Sequence, residues 1–102
     1  MLDELKEDIT QYNETLETYE QLETEDIELA YDLAKKCLLL ANRWKEIMLN
    51  SAKYCTLVDV RKTAFENWSY HKYRVLMTAH EFCRVIWRQG KEEYKNSFIG
   101  EM

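Results

Sequence analysis

Residues 27–48 read IELAYDLAKKCLLLANRWKEIM. Ile27, Ala30, Tyr31, Ala34, Leu38, Ala41, Trp44, Ile47 and Met48 recur at intervals that fit an α-helix and not a strand. Leu33, Cys37 and Leu40 widen the stripe, and Leu38-Leu39-Leu40-Ala41 is apolar most of the way round, so contacts are expected on more than one side. Thr24 has the character of an N-cap, with Glu25 and Asp26 in the first turn where the helix dipole favours acids. The pattern predicts a helix over 25–53.

Upstream, Leu2, Leu5, Ile9, Tyr12, Leu16 and Tyr19 occupy a and d positions of a heptad repeat, and the residues between them are polar. A stripe this narrow faces one or two partner helices and does not sit deep in a globule. It predicts a helix over 2–22 whose six apolar residues are candidate oligomer or partner contacts. The other destination for them is the chain's own helices.

Downstream, Asn50-Ser51 and the β-branched Thr56, Val58 and Val60 predict a turn or kink within 50–59, with Asp59 as a plausible N-cap. A third helix is expected over 57–89. Its stripe is Ala64, Trp68, Val75, Ala79, Phe82 and Ile86, flanked by Phe65, Leu76, Cys83 and Trp87. Gly90 reads as its C-cap, followed by a short tail over 91–99 carrying Tyr94, Phe98 and Ile99.

Composition agrees with helices. The 102 residues include no proline and only two glycines, Gly90 and Gly100, so the tight turns of a sheet protein have no material. The expected architecture is all-α, one domain over 1–102, an elongated antiparallel three-helix bundle. Cys37, Cys55 and Cys83 are expected to be free buried thiols, as in an intracellular protein. The opening segment is acidic and no apolar run approaches a membrane span, so a cytoplasmic protein with no membrane contact is expected.

The charge is lopsided. Residues 1–50 carry a net −8 and residues 51–102 a net +3, for −5 in all. Glu14, Glu17, Glu20 and Glu23 form an acidic surface that solvates an exposed helix, pairs with the basic stripe of a neighbouring helix or subunit, or imitates a phosphate backbone. Arg74, Arg84, Arg88, Lys91 and Lys95 follow one stripe of the last helix, interleaved with Trp87 and Tyr94. Cations that track a backbone beside aromatics that stack on bases form the layout of a single-strand nucleic-acid binder. Met77 and Glu81 interrupt the stripe.

Motifs for chemistry do not assemble. His80 and Cys83 are spaced for half a metal site, but no CxxC or HxxxH completes it, and Arg84 stands where a zincin signature needs its second histidine. No base is placed beside an activated thiol, and there is no phosphate loop or nucleophile elbow. No catalytic residue, metal, cofactor or small-molecule substrate is expected.

The helical plan, with Tyr31 and Ala34 ahead of a Trp-bearing segment and a basic aromatic stretch from Arg61 to Arg74, resembles the small recombination-mediator proteins of phages. That resemblance implies an oligomer that binds single-stranded DNA and helps load a recombinase; it assigns no role to any residue here. Two functions follow as expectations. One is a non-enzymatic, self-associating protein-interaction module, an inhibitor or adaptor of a nucleic-acid-processing complex of phage or mobile-element type. The other is a single-stranded nucleic-acid accessory protein using the basic aromatic helix.

Overall fold

The computed structural model describes the backbone of residues 2–100 and the side chains of residues 3–92. The chain is all-helical: α1 (Leu2–Glu20), α2 (Ile27–Leu49), α3 (Ser51–Leu57) and α4 (Lys62–Gly100), with no strand among the described residues. Among the described residues no helix is long and apolar enough to cross a membrane.

The helix ends differ from the sequence expectation, each for a local reason. Thr24 does not cap α2. Asp26 stands at that position, and its carboxylate turns back to accept the Glu23 N–H at 3.2 Å, closing the connecting loop. The chain then breaks twice between α2 and α4. At Asn50 the side-chain amide donates to the Glu46 carbonyl at 2.8 Å, and the Ser51 hydroxyl donates to the Met48 carbonyl. The second break is at Asp59, which holds φ at 54° in the left-handed region that Asp tolerates better than most residues. The Val60 N–H then reaches the Cys55 carbonyl at 3.0 Å, the six-to-one bond of a Schellman motif. Asp59 therefore terminates α3 and is not the N-cap of α4.

Gly90 is not a C-cap. Helix α4 runs through it, and no glycine has positive φ. Its role is steric: a Cβ at Gly90 would collide with the Ile27 side chain, so the missing methyl lets the start of α2 lie close against α4.

Contacts between α2 and α4 run in opposite senses. Trp44 meets Trp68, the Ala34 carbonyl meets His80, and Tyr31 meets Trp87. The buried line on α4 is Phe65, Ser69, Leu76, Ala79, Cys83 and Ile86, with half-buried Lys72 and Gly90 on the same line. It steps by four and three residues throughout, one seam of a helix pair. Ser69 fits there because its hydroxyl donates to the Phe65 carbonyl at 2.8 Å. Facing it are Ala30, Ala34, Cys37, Ala41 and Trp44 of α2, small residues near one end and a tryptophan near the other.

Helix α1 lies along this pair. Asp8 holds Arg43 of α2 through both carboxylate oxygens, with Nε at 3.2 and 3.1 Å and an Nη nitrogen at 3.0 Å. Tyr12 packs edge-on to Trp44, and Tyr19 packs edge-on to Phe82. The Lys72 ammonium sits 4.2 Å from the Tyr12 ring, 4.9 Å from Trp68 and 5.7 Å from Trp44. Burial among these rings lowers the lysine's pKa. Arg43–Asp8 and the Lys72 cage are the polar ties that fix α1 in register on α2 and α4.

The molecule measures 64 × 19 × 16 Å, with a radius of gyration of 17.3 Å. A compact chain of this length would have about 13 Å.

Candidate nucleic-acid and partner-binding faces

The five described heptad residues of α1 do not present a free seam. Leu5 and Tyr12 are buried within the chain, and Ile9, Leu16 and Tyr19 are half-buried against the same core. The Leu2 side chain lies outside the described residues. The inward line of α1 also includes Thr15, which is fully buried, and Asp8.

What α1 offers to solvent is acidic. Glu14, Glu17, Glu20 and Glu23 are all exposed, and Glu14, Glu17 and Glu20 border one shallow depression with Thr10, Asn13 and Leu16. The ion pairs among the described residues are Asp8–Arg43, Glu46–Arg43, Glu66–Lys62 and Glu81–Arg84. None draws on those four glutamates, so among the described residues α1 keeps its negative face and does not pair with Arg74, Arg84, Arg88 or Lys91.

The cations divide into two groups. Arg84, Arg88 and Lys91 are exposed and share one edge of α4. At about 100° per residue this edge lies roughly opposite Val75 and Phe82, which border α1. Arg74 is on the outer ridge. Its guanidinium lies 5.9 Å from the Tyr70 ring, and it borders a depression with Tyr19 and His71. Arg74 thus stands at the Tyr70 end of α4, apart along the helix from Arg84, Arg88 and Lys91. Glu81 pairs with Arg84 at 3.8 Å, an exposed i,i+3 contact worth little in water. The side chains of Tyr94 and Lys95 lie outside the described residues.

Helix α2 completes this face with residues that spacing along α4 could not disclose. Tyr31 and Trp87 lie ring to ring at 5.1 Å and 38°. Lys35 covers the Tyr31 ring at 4.4 Å, and Lys91 covers the Trp87 ring at 4.8 Å. The result is an aromatic platform across two helices with an ammonium at each side, and Tyr31 is 38% exposed. Along the same side of α4, Tyr70 and Tyr73 stack at 6.3 Å. From Tyr70 to Lys91 the strip covers about 30 Å of helix. The sequence signal for the α2 part was a second heptad-spaced line, Tyr31, Lys35, Leu38, Asn42, Lys45 and Leu49, of which every member is exposed. Tyr31 and Leu38 thus leave the core stripe to which periodicity alone assigned them, and Leu39 is 70% exposed, so the chain itself does not cover the all-round apolar turn.

The three thiols are buried and free. Burial, with a smaller contribution from the neighbouring Cys83, pushes Cys37 up to about 11, and burial raises Cys83 as well. Both stay protonated near neutrality and are poor nucleophiles. His80 spends its Nδ1 on the Ala34 carbonyl at 2.7 Å, which sets Nδ1 as the protonated nitrogen of the neutral ring. Among the described residues no three His, Cys, Asp or Glu side chains converge on a metal-sized site.

Comparison of the chain with protein-family models, with curated proteins and with solved structures finds no match.

Proposed function

We propose that the protein is a non-enzymatic accessory factor that binds single-stranded nucleic acid on the face shared by α2 and α4. The observation that carries this reading is the Lys35–Tyr31–Trp87–Lys91 cluster, continued by Arg84 and Arg88. A base stacks on an exposed ring whatever its identity, and the flanking ammonium and guanidinium groups meet the phosphates on either side. A strip about 30 Å long accommodates several nucleotides of an extended strand. Taken as an elongated antiparallel bundle of three long helices, the chain works as a rigid bar with this strip along one side, in the cytoplasm.

Fluorescence anisotropy with a labelled single-stranded oligonucleotide tests it. With about five phosphate contacts, the logarithm of the binding constant should fall with the logarithm of salt at a slope near −3.5. Replacing Arg84, Arg88 and Lys91 by glutamine should flatten that slope by about 2. Trp87→Ala should weaken binding by about 1–3 kcal/mol with little change in slope. No binding at about 50 mM salt would refute the proposal.

A second reading rests on the acidic face of α1. Glu14, Glu17, Glu20 and Glu23, exposed and outside every ion pair among the described residues, suit a protein module of the inhibitor or adaptor kind that occupies a nucleic-acid-binding surface. Loss of partner capture on reversing these four charges, with oligonucleotide binding intact, would favour it.

A further inference from the structure

We infer that the protein forms a two-fold dimer through an apolar groove at the end of the molecule where α1 begins and α3 turns into α4. The groove is lined by Leu5 and Ile9 of α1, Val58 and Val60 of the turn, and Ala64, Phe65 and Trp68 of α4, and encloses about 420 Å³. Among the described residues no polar side chain lines it. It is distinct from the basic face, and this inference does not depend on nucleic-acid binding.

The groove is built and rigid. Phe65 stacks on Tyr54 at 5.8 Å with the planes 6° apart, and Trp68 is held by Trp44 at 5.2 Å and Phe65 at 5.5 Å. The left-handed Asp59 sets the wall that carries Val60. None of these groups can move to close the groove without undoing a core contact. Val60 is 47% exposed and Trp68 37% exposed, so the groove stands open to solvent.

Three features favour a second copy as the occupant. The chain carries the filling as well as the groove: Val60, on the groove's rim, is 47% exposed, so a two-fold axis lets each copy's rim enter the other's groove. The nearby charges have both signs. Lys6 follows Leu5, and Asp59 and Arg61 bracket Val60, all exposed. A partner of one sign would be opposed by part of this rim, whereas two-fold pairing brings acid to base twice. The area also fits. The chain exposes 7359 Å², against about 6,100 Å² for an average monomer of its 12.4 kDa. The excess, about 1,200 Å², is more than the roughly 800 Å² that a standard interface removes from each partner, so surface for such a contact is present. Pairing at this end leaves the faces of α2 and α4 open in both copies.

Sedimentation equilibrium of the full chain, alone and as Val60→Glu, Ala64→Glu and Leu39→Glu, tests the assignment. The unaltered chain should sediment as a dimer at about 100 µM or below. Val60→Glu and Ala64→Glu, each placed twice in the dimer, should weaken association at least about tenfold, because each buries an unpaired carboxylate. Leu39→Glu, on an exposed part of α2 away from the groove, should change nothing. Helical content and cooperative unfolding by circular dichroism distinguish lost pairing from lost folding. A chain that stays monomeric at the highest soluble concentration overturns the inference, and so does a dimer indifferent to both groove variants. Oligonucleotide binding by the monomeric variants is read separately, so a failure here and a failure of the nucleic-acid reading are distinguishable.

Discussion

Replacing Gly90 with alanine should change sign with the residue opposite it. In an exposed helix interior, Gly→Ala gains about 0.5–1 kcal/mol from backbone entropy. At Gly90 the new methyl meets Ile27, whose Cγ1 stands 2.7 Å from the Cβ position and whose Cγ2 stands 3.3 Å away. Relief requires the half-buried Ile27 to leave its rotamer or the start of α2 to move off α4, and overpacking of this kind costs about 1–3 kcal/mol. The net in the unaltered chain is a loss of about 1 kcal/mol, or about 4–8 °C in Tm for a domain near this size. In an Ile27→Ala background the obstacle is gone and the helix gain remains, so the same substitution should stabilise by about 0.5–1 kcal/mol. The coupling, about 1.5–2 kcal/mol, is read from a double-mutant cycle in urea, followed by circular dichroism and tryptophan emission. If Gly90→Ala stabilises equally in both backgrounds, α2 and α4 do not meet there and the account of Gly90 is wrong.

Alkali should destabilise the fold. Cys37 titrates near 9 when unfolded and near 11 when folded. The folded state keeps its proton longer, so the stability this thiol contributes is present below pH 9 and lost as pH rises to 11, by about 2 kcal/mol; Tyr12 and Tyr19, raised by burial, act in the same direction, while the lowered Lys72 opposes them. Urea midpoints between pH 8 and 11 should fall, and Cys37→Ala should reduce the fall while lowering stability at pH 7. Thr15→Val should stabilise by about 1 kcal/mol in urea unfolding at pH 7, because the Thr15 hydroxyl is buried without a hydrogen-bond partner.

Helix periods were legible because α2 has no breaker and its apolar spacing is regular. The α4 seam was harder to read, since three of its positions are Ser69, Lys72 and Gly90. Counting apolar residues passes over a serine bonded to its own helix, a lysine seated among rings and a glycine serving close approach. The result was a stripe through Ala64, Trp68 and Phe82, all of which are exposed. The same happened on α1, where Asp8 and Thr15 face inward. Arg84, Arg88 and Lys91 could be placed from spacing because they share one helix. Tyr31 and Lys35 could not, because their place beside Trp87 depends on how two helices far apart in sequence are set against each other. The groove was invisible for a similar reason: α1, the α3–α4 turn and α4 each supply only part of it.

The acidic outer face of α1 and the basic strip of α2 and α4 lie on different flanks of one narrow rod. Such a molecule has a lateral electric dipole, and on the proposed nucleic-acid reading it would approach a polyanion with one side leading. Once the basic strip is engaged, the flank turned to solvent is the acidic one. A strand lined with such rods would be sheathed in negative charge and would repel a second strand, so coating would keep strands apart instead of cross-linking them.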